Sequence, residues 1–183
     1  MRKTFAMAIM AALVLLSWGL TEQGMVLAAE RGIEKNAADA LDKLYASQSE
    51  AKTVSEKAKA ILVFPNVFKA GFLGGAHYGE GVLFRDGQVV GQYNTVAGSF
   101  GLQAGVQVFG YAMFLMSDKA LEYVDRSDGW EIGVGPSIVV VATGMGKALT
   151  STTLREDVYA FIFNQQGFMA GLGIQGSKIT RTK

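Results

Sequence analysis

The chain has 183 residues, with 17 Lys and Arg against 16 Asp and Glu, one histidine and no cysteine. This balance argues against nucleic acid as the main partner, because that class of binding protein usually carries a basic excess. Without cysteine the chain can form no disulfide, so packing must hold the fold. Eleven of the 23 glycines fall between Gly71 and Gly110, among apolar and aromatic residues. That mixture indicates a strongly curved β-sheet rather than a flexible linker.

The first 29 residues have the pattern of a signal peptide. A basic start at residues 1–3 precedes an apolar run from Phe5 to Leu16, and cleavage could follow Ala28 or Ala29. The apolar run is shorter than the roughly 20 residues of a spanning helix. The alternative is an uncleaved anchor, which the wide gap between Leu16 and Ala28 favours slightly. We expect export to the periplasm or an envelope membrane, with residues 30–183 forming a single domain.

The pattern from Ile33 to about Ala60 is helical. One face carries Leu41, Leu44, Tyr45 and Gln48. The spacing of Thr53 and Glu56 resembles a capping box, which predicts that a second, shorter helix begins there. The run from Ile61 to Pro65 predicts a buried strand that the proline ends.

Strand patterns follow. Asp86-Gly87 between apolar runs predicts a β-hairpin. From Gly101 to Val108 one face is apolar and the other is made of Gly and Gln. Ser117 predicts the cap of a short helix that extends to Tyr123.

The C-terminal part returns to strand character. Strands are predicted at Trp130 to Val141, Asp157 to Phe163 and Phe168 to Ile174, with residues 164–167 as a hairpin loop between the last two. Paired glycines, Gly133 with Gly135 and Gly171 with Gly173, leave bare patches. The predicted fold is therefore α+β: N-terminal helices packed on a curled, largely antiparallel, Gly-rich β-sheet that closes into a partial barrel.

Candidate catalytic residues do not form a site. His77 and Glu80 should lie on opposite faces of a strand. Ser99 in a Gly-x-Ser-x-Gly context has no histidine after it and fits a turn better, and Lys147 follows a glycine pattern that lacks the Walker spacing. No clustered ligands suggest a metal. We therefore expect no enzyme, no catalytic residue, no cofactor and no metal.

The basic residues offer a weaker signal of function. Lys52, Lys57, Lys59 and Lys69 stand against only Glu56 between Ala51 and His77, and Lys178, Arg181 and Lys183 form a basic tail. If these side chains converge, they make a patch for anionic lipid headgroups. The alternative is that the lysines simply solvate a helix face.

Several separated segments resemble the SYLF-domain family, and in particular its bacterial branch. They are Ala58 to Pro65 (AKAILVFP), Ala97 to Gln107 (AGSFGLQAGVQ), Tyr159 to Gly176 (YAFIFNQQGFMAGLGIQG) and Gly176 to Arg181 (GSKITR). The resemblance extends over roughly Leu41 to Arg181.

The resemblance implies a lipid-binding module without an established enzymatic activity. Eukaryotic relatives bind phosphoinositides, often with a basic amphipathic helix at the start of the domain, and some bind actin. Carried over, the lipid-contacting candidates are Lys52, Lys57 and Lys59. The chain departs from the eukaryotic pattern at Ile138 to Ala142, which replace a Gly-Arg pair, and actin contact is not expected for an exported bacterial-type protein.

The sequence thus predicts non-enzymatic binding of anionic phospholipid at an envelope membrane. Its candidate contacts are the cations Lys52, Lys57, Lys59, Lys69, Lys178 and Arg181. Phe68 or Phe72 would insert among the lipids, unless both belong to the core. The alternative function is a periplasmic structural or protein-interaction module, whose Gly/Gln face would dock an envelope protein.

Overall fold

The computed structural model describes residues 29, 31–126, 128–132, 134–141, 154–168 and 177–183, apart from the side chains of 72–74, 99–104 and 168. This part of the chain contains three helices and six strands. The helices are α1 (residues 31–47), α2 (Ser49–Ser55) and α3 (Asp118–Val124). The strands are β1 (Ala60–Arg85), β2 (Gln88–Leu115), β3 (Trp130–Glu131), β4 (Ile138–Val141), β5 (Val158–Phe168) and β6 (Lys178–Arg181).

A long hairpin of β1 and β2 forms the centre of the fold. Its turn is Asp86-Gly87, with φ of 51° and 74°, and Arg85 pairs directly with Gln88. Positive φ at both central residues is the geometry that Asp-Gly favours in two-residue hairpins, because it matches the twist of the strands. The predicted hairpin is confirmed.

The remaining strands assemble around β2. β1 occupies one edge of β2 along its length, while β5 and β6 pair with separate stretches of the other edge. β3 pairs with β6, and β4 lies parallel to β5. All the other described pairs are antiparallel, so the prediction of a largely antiparallel sheet is confirmed.

Glycines allow the hairpin to curl back on itself. A Cβ added to Gly81 would lie 2.5 Å from the Phe64 ring and 2.9 Å from the Val63 carbonyl, although all three residues belong to β1. Gly79 faces Val67 in the same manner. The second half of the strand therefore approaches its own first half, and the sheet forms the half-barrel that the glycine content predicts.

The curled sheet has two faces with different coverings. The inner face, on the concave side, carries the apolar core of Leu62, Phe64, Tyr111 and Met113 together with Trp130. The opposite, outer face is covered by α1 and α2 near the base of the hairpin. There Leu44 and Val54 are fully buried, and the centroids of the Tyr45 and Phe114 rings lie 6.5 Å apart. Helices packed on a sheet confirm the predicted α+β class.

The helix pair begins and ends differently from the prediction. The break falls at Gln48, whose backbone is extended (φ −137°, ψ 95°), and α2 begins at Ser49. Thr53 lies inside α2, so the capping-box interpretation is wrong. Gln48 is buried and donates a hydrogen bond to the carbonyl of Ile162 at 3.3 Å. A tertiary contact, rather than a local cap, therefore accompanies the break.

Two predicted interruptions of the sheet are bulges instead. β1 continues past Pro65 through a register shift between Phe64 and Val67. Residues 164–167 are not a hairpin loop, because β5 continues through them to Phe168 with Asn164 at φ 51°. Proline and left-handed residues are both tolerated where a bulge removes a ladder hydrogen bond.

The segment from Trp130 to Val141 is two short strands, not one. Gly135, at φ +95°, lies in the bend between them, and a Cβ there would meet the Tyr123 ring. The other three paired glycines lie outside the described residues. The predicted cap of α3 is confirmed, since the Ser117 hydroxyl accepts a hydrogen bond from the Ala120 amide at 3.2 Å.

Candidate lipid-binding surface

The middle of the β1–β2 hairpin carries polar side chains on its inner face. Lys69, His77, Thr95 and Gln107 point inward there and are all less than 9% exposed. Lys69 lies directly opposite Gln107 in the register of the two strands. Nearer the hairpin base, the same face is apolar, so the polarity of the inner face changes along one pair of strands.

His77 belongs to this buried polar group. Its Nε2 lies 3.2 Å from the Ser177 hydroxyl, which is itself fully buried. Burial lowers the pKa of the imidazole, and the positive charge of Lys69 lowers this pKa further. Glu80 is exposed on the outer face, as predicted, so it does not pair with the imidazole. His77 is therefore a neutral, hydrogen-bonded interior residue at pH 7.

The outer face of the same stretch carries exposed apolar side chains beside the exposed Glu80. Tyr78 (49% exposed) and Val96 (47%) pair directly and form the outer apolar surface. Phe68 (52%) and Val106 (51%) lie beyond the register shift between Phe72 and Gly74. Since Gly79 faces Val67 across the inner side of the curl, Phe68 and Tyr78 point away from each other on the outer face. Exposed apolar and buried polar side chains at these positions reverse the usual arrangement of a sheet face in water.

A lysine adjoins this apolar surface. In the register of three neighbouring strands, Tyr78 of β1 pairs with Val96 of β2, which pairs with Lys178 of β6. Directly paired residues share a face, so Lys178 extends from the same outer surface and is exposed. Glu131 of β3 lies opposite Lys178 on its other side.

Two of the predicted cations are held in ion pairs. Lys59 Nζ contacts Asp118 Oδ2 at 2.6 Å. Arg181 contacts Asp125 at 2.7 Å and donates to the Val90 carbonyl at 3.0 Å, and the same carboxylate accepts the Tyr93 hydroxyl at 2.8 Å. The contacts of Arg181 join β6 to β2 and to the C-terminal end of α3, and the Lys59 pair joins the start of β1 to α3. Both cations therefore have partners within the protein.

The other predicted contacts are divided between the surface and the interior. Lys52 lies on α2 and Lys57 just after it, and both are exposed. Lys69 is only 5% exposed on the inner face, which corrects its assignment to a surface patch: strand alternation turns it inward beside the exposed Phe68. Phe72 of β1 pairs with Ala104 of β2, but the side chain of Phe72 lies outside the described part of the structure. The six cations therefore do not form one surface group.

The outer apolar residues other than Phe68 were not identified from the sequence. The alternation of Val106 with Gln107 is visible in the sequence, but a period of two does not say which face is covered. With Gln107 buried and Val106 exposed, the Gly/Gln face points inward at this position. Counting from the Asp86-Gly87 turn would pair Tyr78 with Thr95, and only the register shift between Leu83 and Phe84 pairs it with Val96, so the turn alone does not give this pairing.

The side chains of the other sequence candidates, Ser99 and Lys147, lie outside the described part of the structure. Ser99 is not a turn residue: its backbone lies within β2, paired with Gly75. Lys147 lies outside the described residues. No described helix has the length and apolar character that a membrane crossing requires.

A family model matches the C-terminal part of the chain. Residues 96–183 match the model of a family described as Ysc84, Las17-binding protein actin regulator. The matched region includes most of β2 and every element that follows it, and so contains Val96, Val106 and Lys178. No curated protein matches the chain.

Proposed function

We propose, from the match of residues 96–183 to this SYLF-domain family model, that the chain binds anionic phospholipid at an envelope membrane and catalyses no reaction. SYLF domains are binding domains with lipid and actin-regulator roles. Three observations support the narrower proposal: the outer apolar surface, the lysine beside it, and the exposed Lys52 and Lys57 of the helical lead-in.

The outer apolar surface carries the proposal. Tyr78 and Val96 gain free energy by leaving water, since burying an apolar side chain of this size contributes about 1.5–3 kcal/mol. The inner face holds the polar groups of the same strands, so the surface can enter the apolar boundary of a bilayer without burying Lys69 or His77 in lipid. Tyr78 places its hydroxyl beside Glu80 at 2.9 Å, at the wet edge of such a contact.

Charge supplies the selectivity for anionic lipid. Lys178 adjoins the apolar residues, and Lys52 and Lys57 are exposed on the helical lead-in. Each lysine near an anionic surface contributes about 1 kcal/mol, an attraction that salt weakens. The expected sequence is electrostatic attraction followed by insertion of Tyr78 and Val96, which Lys178 adjoins.

Vesicle sedimentation tests the proposal. The protein without residues 1–29 should bind phosphatidylglycerol vesicles at low salt and dissociate as salt is raised, with weak binding to phosphatidylcholine vesicles. Equal binding to both vesicles, or no binding at low salt, would contradict it. Salt-insensitive capture of one envelope protein without vesicle binding would favour the protein-interaction alternative.

Matched variants locate the contact. Tyr78→Ser should weaken binding by about ten- to hundredfold through lost insertion, and Lys178→Gln by about fivefold through lost charge. The controls are Val134→Ser, an apolar residue 57% exposed elsewhere, and Arg85→Gln, an exposed charge near the hairpin turn. If the controls weaken binding as much as the test variants, the outer apolar surface is not the contact.

Export remains a separate proposal that rests on the first 29 residues. Expression of the full chain in a bacterial host, fractionation and N-terminal sequencing would test it. A mature protein that begins at Ala29 or Glu30 outside the cytoplasm is the expected result. An intact N-terminus in the cytoplasmic fraction would contradict it.

A further inference from the structure

A polar cleft of about 510 Å³ lies where α1 meets the outer face of the sheet. Its walls come from three places: one side of α1, the bulge of β1 at Pro65 and Asn66, and the bulge of β5 at Asn164. The volume falls within the range of small-molecule sites. None of the residues discussed above as lipid contacts lines it.

Four carboxamides line this cleft, from Asn36, Asn66, Asn164 and Gln166. All four residues are exposed, and within the described part of the chain none of these side chains makes a hydrogen bond to protein. A carboxamide presents a donor and an acceptor side by side. The cleft therefore offers four paired donor–acceptor groups, contributed by three separate segments of the chain.

The charges at the cleft balance. One carboxylate, Asp39, and one ammonium group, Lys43, complete the polar lining. A phosphate would face Asp39 with only one cation to compensate, and a purely apolar ligand would leave the carboxamides without partners. The lining matches a neutral ligand whose groups both donate and accept hydrogen bonds, which is the chemistry of hydroxyls.

The bulges aim two of the carboxamides. Asn164 adopts φ 51°, a left-handed conformation that a regular strand does not use, and the register of β5 on β2 shifts there. Asn66 lies in the bulge of β1. Bulges redirect side chains and are frequent beside functional sites. Without these two irregularities, strand alternation alone would set the directions of both amides.

An aromatic ring stands at the side of the cleft. Val108, which lines the cleft, pairs with Phe68 on β1 and with Gln166 on β5, so the three side chains form a row on the outer face. Phe68 is exposed and can cover the apolar face of a ring held by the carboxamides. Amides around the edge and an aromatic ring at one face together suit a sugar.

We propose that this cleft binds a neutral, hydroxyl-rich ring, with neighbouring ring hydroxyls paired to the carboxamides of Asn66, Asn164 and Gln166. This site goes beyond the proposed binding of anionic phospholipid and does not depend on it. The ring could belong to a free saccharide or to the headgroup of a glycolipid. The chemistry is the same in both cases, and the experiment separates the two sources.

The test uses the protein without residues 1–29 and two kinds of probe. Maltose and N-acetylglucosamine disaccharide, titrated by amide NMR, represent the free saccharide. Phosphatidylcholine vesicles with and without glucosyl diacylglycerol represent the headgroup. Saturable shifts at the cleft from a free sugar, or binding only to the glycosylated vesicles, support the proposal and identify the source.

Two variants and a control make the test specific. Asn164→Gly removes the amide while keeping a residue that tolerates positive φ, and Gln166→Ala removes an exposed amide on regular backbone. Each should weaken sugar binding by about two- to tenfold. Gln165→Ala removes an exposed amide next to both that does not line the cleft, and should leave binding unchanged.

Several outcomes would overturn the proposal. They are the absence of any response to either kind of sugar probe, a response that both cleft variants leave intact, and cleft shifts caused by inorganic phosphate rather than sugar. Binding to phosphatidylglycerol vesicles is measured in parallel on the same variants. Its loss or retention bears only on the lipid proposal, because Asn164 and Gln166 carry no charge.

Discussion

The base and the middle of the β1–β2 hairpin are built from the same two strands but have opposite polarity. At the base, Phe64 and Tyr111 stack in the core at 6.0 Å between ring centroids, and helices cover the other face. In the middle, Lys69 and Gln107 are buried while Phe68 is exposed. The base is therefore arranged for stability in water, whereas the middle exposes apolar side chains, as the proposed lipid contact requires.

The largest expected effect separates the two regions by stability. Phe64→Ala should lower the free energy of unfolding by about 3–5 kcal/mol, because it opens a cavity in a fully packed core. Phe68→Ala removes the same atoms from an exposed side chain and should change the free energy of unfolding by less than about 0.5 kcal/mol. Urea denaturation measures both. Should Phe64→Ala fail to fold, Phe64→Leu serves in its place, and equal losses at the two positions would break the comparison.

A smaller effect concerns the glycines that curl the hairpin. A methyl group at Gly81 would collide with the Phe64 ring and the Val63 carbonyl, so Gly81→Ala should cost about 1–3 kcal/mol. Gly98 has no atom within 4 Å of an added Cβ, so Gly98→Ala should be neutral or stabilise by up to about 1 kcal/mol. Thermal unfolding of the two variants tests whether the curl requires glycine only where another part of β1 approaches the backbone closely. A neutral Gly81→Ala would refute it.

The smallest effect is a pH dependence confined to the middle of the hairpin. The pKa of His77 is lower in the folded protein than its ordinary value, so below about pH 6.5 the unfolded chain takes up a proton first. The free energy of unfolding should therefore fall as the pH drops below that value, and level off once the folded imidazole is also protonated. His77→Gln should remove this slope. An unchanged slope in the variant would assign the effect to another group.

The two regions also differ in how far the sequence anticipates them. The helical face of α1, the Asp86-Gly87 turn and the Ser117 cap depend on interactions within a few residues, and all three are found as predicted. At Pro65 and Asn164 the sequence predicts a strand end and a hairpin loop, whereas the structure has bulges within continuous strands. Proline and polar residues favour interruptions locally, and only pairing with β2 makes it favourable for both strands to continue.

The candidate surface shows the same division. Four of the predicted contacts are exposed, as a lipid contact requires: Lys52, Lys57, Lys178 and Phe68. In contrast, Lys69 is buried, and Lys59 and Arg181 form ion pairs within the protein. Those partners come from residues distant in sequence: Asp118 is 59 positions from Lys59, and Asp125 is 56 positions from Arg181. A sequence shows the charge of a residue, whereas the fold decides whether that charge is already compensated.

The sequence by itself determined the α+β class, the curled glycine-rich sheet and the resemblance to the family whose model residues 96–183 match, because these follow from periodicity, turn chemistry and motif order. The tertiary structure alone decided which face of the middle hairpin points outward and where the amide-lined cleft forms. A pattern of period two is unchanged when its faces are exchanged, so only the curl that encloses Lys69 and His77 leaves Phe68 and Val106 outside.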